Sequence, residues 1–156
     1  MQAVENKSYS DSKQEMQVVA FQLGLEEYAV DIINVQEIIK LHKVTRIPRT
    51  EPYVEGVINL RGNIIPLFNL HTKFKLPARG SSEDQRIIVF QLDDIKAAII
   101  VDKVSEVLHI NTGDIEATDH VYQGMNASHI NGIAKIEDRI LILLNIYKIL
   151  INDNIR

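Results

Sequence analysis

The side chains that could do chemistry are few and scattered. Of the five histidines, His42, His71, His109, His120 and His129, none forms a close pair at helical spacing beside a carboxylate, as a zinc site on a helix would require. His120 with His129 is the best metal candidate, and it is outweighed by a reading of all five as exposed loop histidines. No Gly-x-Ser-x-Gly elbow occurs, and the serines cluster at the N-terminus and around Ser81-Ser82, so acyl transfer has no visible nucleophile. Gly56 and Gly62 lack both the dinucleotide spacing and the Gly-Lys-Ser/Thr ending of a phosphate loop, and they read as turn glycines. Glu26-Glu27, Asp93-Asp94 and Glu137-Asp138 could supply a general acid and base, yet each pair falls between predicted strands, where acids commonly occupy solvated turns. The absence of Cys removes thiolate nucleophiles, disulfides and cysteine-bearing metal sites together. The expectation is a chain with no catalytic residue, metal site or cofactor, which turns attention to binding.

Composition sets the frame for such a module. With 156 residues, 46% of them apolar, the chain can build one ordinary core or two small ones packed together. Its net charge is -4, with acids and bases interspersed and no long basic run, which argues against a nucleic-acid partner. Residues 1–15 are polar, lack the apolar stretch of a secretory signal and read as a disordered tail. No apolar run approaches the roughly 18 residues of a membrane span, so a soluble, cytoplasmic protein without direct membrane insertion is expected.

The elements that must carry a binding surface are written twice. Residues 18–39 align without gaps on 87–108, with Phe21/Phe90, Gln22/Gln91, Leu23/Leu92, Ala29/Ala98, Val35/Val104 and Glu37/Glu106 identical. Residues 56–70 align on 132–146, with Gly56/Gly132, Ile64/Ile140, Leu67/Leu143 and Asn69/Asn145 identical. Two collinear blocks imply two similar halves, 16–79 and 85–150, joined by the turn-rich segment 79–84. Short runs of β-branched and aromatic residues predict strands near 17–23, 27–33, 57–60 and 64–68, with a further strand or helical turn between 35 and 44. Arg61-Gly62-Asn63 and Glu137-Asp138-Arg139 read as hairpin turns, with positive φ expected at Gly, Asn or Asp. Asn69 and Asn145 read as caps of short helices, and Pro66 predicts an edge strand or a bulge. The fold expected from these runs is all-β, two small barrels packed side by side. Val35–Ile39 and Val104–Leu108 then either line an inter-barrel groove able to receive a helix, or simply seal the barrel–barrel interface.

Val35-Gln36-Glu37-Ile38, Gly56-Val57-Ile58-Asn59-Leu60-Arg61-Gly62, Ile100-Val101-Asp102 and Asp138-Arg139-Ile140-Leu141-Ile142-Leu143 together resemble the CheW family of bacterial chemotaxis coupling proteins, over nearly all of 16–150. The resemblance implies two tandem five-stranded SH3-like β-barrels related by internal duplication, and a scaffold that performs no reaction. It also implies two partners, the cytoplasmic tip of methyl-accepting chemoreceptors and the regulatory domain of the histidine kinase CheA, and recruitment to membrane-associated receptor arrays. Carried over residue by residue, receptor contact falls on Val35, Glu37, Ile38, Arg61, Val104 and Val107, and kinase contact on Val44, Ile47, Gly56 and Leu67. Asn69 stands where many relatives have Asp, and Val121 where many carry an aromatic in a loop used for a second kinase contact. Arg61 is expected to turn back and bridge Glu37 with two hydrogen bonds at the floor of the groove. An enzyme or small-ligand domain on the same scaffold is the competing class, and a closed pocket with convergent polar groups would favour it.

Overall fold

The computed structural model describes residues 14–77, 83–117, 125 and 127–152. Among them the strands are β1 (Glu15–Leu23), β2 (Glu26–Asp31), β3 (Val35–Ile39), β4 (Val54–Leu60), β5 (Asn63–Phe68), β6 (Arg86–Leu92), β7 (Ile95–Val101), β8 (Lys103–Asn111), β9 (Ile115–Glu116), β10 (Ile130–Ile136) and β11 (Arg139–Leu144). A short helix α1 (Leu70–Phe74) follows β5, and a helical segment Lys148–Asn152 follows β11. The fold is all-β, in two sheets ordered β8-β1-β2-β11-β10-β9 and β3-β6-β7-β5-β4. The sixth strand of the first sheet is the two-residue β9.

The sheets are not the sequence halves. Each half gives its first hairpin, β1–β2 or β6–β7, to the sheet built by the later strands of the other half. The expected division into barrels 16–79 and 85–150 is corrected accordingly, and side-chain alternation gives the reason. Along β1, Val18 and Ala20 enter one cluster with Ala29, Leu141 and Leu143, while Val19 and Phe21 enter a second with Ile88, Phe90 and Ile142. Along β6, Ile88 and Phe90 share that second cluster, while Ile87 and Val89 join a third with Ile58, Ile65 and Leu67. A hairpin apolar on both faces needs a core on each side, and exchange provides both: a barrel interior on one face, the joint between sheets on the other.

Register repeats along with sequence. Val19 pairs with Val107 as Ile88 pairs with Ile38, and Ala20 with Glu106 as Val89 with Glu37. Both ladders then skip one residue, Ser105 or Gln36, at a bulge before Phe21 meets Val104 and Phe90 meets Val35. The parallel joins also correspond, Leu143 with Ala29 and Leu67 with Ala98. Each sheet closes because the chain beyond its edge strand bends round to the opposite edge: β9 pairs with β10, and Thr45 exchanges two backbone hydrogen bonds with Val57 of β4 at 2.8 and 2.9 Å. Gly56 and Gly132 lie under these closures, and a Cβ on Gly56 would stand 2.3 Å from the Thr45 carbonyl oxygen.

Local expectations fare unevenly. Asn69 accepts the Thr72 N–H at 3.2 Å and Asn145 the Lys148 N–H at 3.1 Å, so both cap as expected. The first hairpin takes positive φ at Arg61 and Gly62, and the other at Glu137, not at Asn63 or Asp138. Pro66 lies on an interior strand, which corrects the edge alternative, and the bulge in its ladder falls on β4, between Val54 and Gly56 opposite Phe68 and Leu67. Since both Val57 backbone groups serve Thr45, Val57 and Pro66 form a non-hydrogen-bonded pair, and the Pro66 nitrogen faces β7, where pairing begins only at Leu67. Residues 1–13 of the expected tail lie outside the described residues, but Gln14 accepts a hydrogen bond from Thr112 at 2.9 Å and Glu15 opens β1.

Candidate functional site

Two edge strands, β3 and β8, carry most of the residues assigned to receptor contact. Ile38 pairs with Ile88 and Val107 with Val19, so both lie on the strand faces that look toward the joint between sheets, yet they stay 38% and 46% exposed. Val35 and Val104, paired with Phe90 and Phe21, pack against the central core instead. The two readings of these segments therefore divide by residue: one valine on each strand seals the joint, and a neighbouring side chain remains at the surface.

The Arg61–Glu37 bridge forms, through one hydrogen bond from Nη2 to Oε2. Glu37 pairs with Val89, a barrel-interior residue, so the bridge lies on the opposite face of β3 from Ile38 and closes the barrel end, not the groove floor. The two-bond fork expected there occurs at Arg139. Its Nη2 and Nε donate to Glu27 at 2.7 and 3.2 Å, and its Nη1 to Glu106 at 2.6 Å. The hydrogen bonds it donates, to Glu27 first and then to Glu106, hold the guanidinium pKa above its ordinary value. Each repeated glutamate, Glu37 and Glu106, thus has an arginine near the hairpin of its own sheet. Arg139 was missed because it sits two positions beyond the residue aligned with Arg61; the repeated glutamate was the available signal.

Of the kinase-face assignments, Val44 is half-buried against the barrel core and Ile47 is 42% exposed. Leu67 is fully buried, and Gly56 is buried beneath Val44 and Thr45. These two offer a partner no surface and are corrected to supports that shape the segment carrying Val44.

Buried polar groups serve the joint. Asp102, at the end of β7, accepts the Gly24 N–H from the β1–β2 turn at 2.8 Å and lies 3.0 Å from His71 Nε2 on α1. On the other side half-buried Tyr147 meets the exposed Asp93 of the β6–β7 turn; desolvation first, and then that carboxylate, raise its phenol pKa. His129 is buried against Phe74, with ring centroids 5.2 Å apart. Exposed loop histidines are thus the wrong reading for His71 and His129, while His42 and His109 are exposed. His120, Val121 and the expected second kinase loop lie outside the described residues. Among the described residues no three His, Asp or Glu side chains gather as metal ligands, and no helix is long and apolar enough to cross a membrane. A cleft of about 320 Å³ lies beside Leu41, His42, Val44, Glu55, Asn69 and His71. Three of its polar groups are already engaged, since Asn69 caps α1 and bonds Glu55, and His71 meets Asp102.

The geometry defines a duplicated two-barrel module with apolar side chains displayed on edge strands. The family model described as CheW-like domain matches residues 17–153, and the chain belongs to that family. Chemotaxis protein CheW of Treponema pallidum is 37% identical over 140 residues, covering 87% of this chain and 82% of its own. CheW of Helicobacter pylori is 37% identical, covering 92% and 86%. The crystal structure of the scaffolding protein TtCheW from Thermoanaerobacter tengcongensis matches with a TM-score of 0.80 at 38% identity, over 86% of this chain and 87% of that one.

Proposed function

We propose that this chain is a non-enzymatic chemotaxis adaptor that binds the cytoplasmic tip of methyl-accepting chemoreceptors and the regulatory domain of the histidine kinase CheA. It works in the cytoplasm, at membrane-associated receptor arrays. The observation that carries this reading is the match of the CheW-like family model along residues 17–153. The mechanism is geometric. Ile38 and Val107 offer apolar contacts to a receptor helix, while Val44 and Ile47 offer a separate contact to the kinase. Fixed barrels hold the two partners at a set distance and orientation, and that placement is all a coupler must supply. Neither catalysis nor a cofactor is required. Pull-down of a receptor cytoplasmic fragment and of the CheA regulatory domain by the purified chain tests it. Retention of both is expected; retention of neither contradicts the reading.

A further inference from the structure

Between β3 and β4 the chain reads Lys40-Leu41-His42-Lys43-Val44-Thr45-Arg46-Ile47-Pro48-Arg49-Thr50, with no acidic residue. Lys40, Lys43, Arg46 and Arg49 recur at every third position, and all four are exposed. None of them is ion-paired among the described residues, whereas Arg61, Lys135 and Arg139 each are. The whole chain is at -4, so these four charges leave the remainder at -8. Charge is therefore concentrated here against the trend of the molecule. Leu41 and Ile47, 44% and 42% exposed, stand among the four cations. An apolar contact rimmed by charge is how many protein interfaces are built.

Arg49 adds a second observation. It holds φ +67 in the turn after Pro48, where Gly or Asn would sit without the steric conflict between Cβ and backbone. The position carries a cation although its backbone favours other residues.

We propose that segment 40–49 is an electrostatic docking strip for an acidic protein surface, whose apolar centre meets Leu41 and Ile47 and whose carboxylates meet Lys43, Arg46 and Arg49. This deepens the kinase-face assignment and rests on it, since Val44 and Ile47 lie within the strip. The arginine forks suit bidentate contact with carboxylates. Exposed charges of this kind speed encounter and orient it more than they deepen affinity, so ionic strength should control the association rate.

The test compares the full chain with a triple variant, Lys43→Gln, Arg46→Gln and Arg49→Asn, and with Ile47→Asp, measuring association with the CheA regulatory domain at low and high ionic strength. The triple variant should associate about tenfold more slowly at low salt and lose most of the salt dependence. Its melting temperature should not fall, because Asn tolerates the φ that Arg49 adopts. Wild-type association by the triple variant, with binding lost in Ile47→Asp, would overturn the electrostatic strip while leaving the kinase face intact. Unchanged binding in both variants would overturn the kinase face and the strip with it. Vesicles rich in phosphatidylserine that bind the chain more tightly than the kinase domain does, with this binding lost in the triple variant, would assign the strip to a lipid surface. Self-association that the triple variant abolishes without touching kinase binding would assign it to a second copy. Either result overturns the strip as a docking surface for the kinase.

Discussion

Arg61 has 66% of its side chain exposed and Glu37 24%, so their bridge is a surface pair worth at most about 1 kcal/mol of stability. Arg61→Ala should therefore barely move the melting temperature and, because the bridge lies on the face of β3 opposite Ile38, should leave affinity for a receptor fragment near the wild-type value; a marked loss of that affinity in the folded variant would show that the contact reaches this face. Gly56 makes the opposite case. A Cβ there meets the Thr45 oxygen at 2.3 Å at φ +147, whereas one on Gly62, at φ +88, meets nothing within 4 Å. Gly56→Ala should cost about 3 kcal/mol or more, and Gly62→Ala about 1 kcal/mol, in urea denaturation. Equal losses would mean that φ alone, not closure of the barrel, requires the glycine. At this scale the sequence was legible where one residue does one local job, as in the caps Asn69 and Asn145. It was misleading where burial decides, since Leu67 and Gly56 carry nothing in their identity that separates a contact from a support.

The strands themselves were legible from runs of β-branched and aromatic residues, but their partners were not. Alternation records that β1 and β6 are apolar on both faces; it does not record which core covers each face. Pro66 shows the same limit. Its missing N–H faces β7 just before the parallel pairing begins at Leu67, so an interior strand tolerates it, and only the register reveals this. Asp102 joins elements that lie far apart in the chain, and no local pattern marks it as the acceptor for Gly24 and a partner of His71. Asp102→Ala should cost about 1–3 kcal/mol by leaving a buried N–H without an acceptor, and Asp102→Asn, which keeps one oxygen, should cost less. Urea midpoints decide; equal midpoints for Asp102→Ala and the wild type would show that the turn finds another acceptor.

Exchange of hairpins makes the two barrels one body, because cutting them apart would strip a two-strand unit from each sheet. A scaffold benefits directly, since a partner docked at the joint and a partner docked on one barrel are then held at one relative orientation. The same architecture makes Val104, which packs against the joint, a poor site for a test charge, and makes exposed Val107 a better one. The central claim is that one rigid chain presents two separable docking surfaces. The most direct test measures the affinity of folded Val107→Asp and Ile47→Asp variants for an isolated receptor cytoplasmic fragment and for the isolated CheA regulatory domain. A charge set in an apolar contact without a partner should cost about 2 kcal/mol or more, roughly thirtyfold in Kd. Val107→Asp should lose the receptor and keep the kinase, and Ile47→Asp should lose the kinase and keep the receptor. Loss of both partners in both folded variants would contradict the claim.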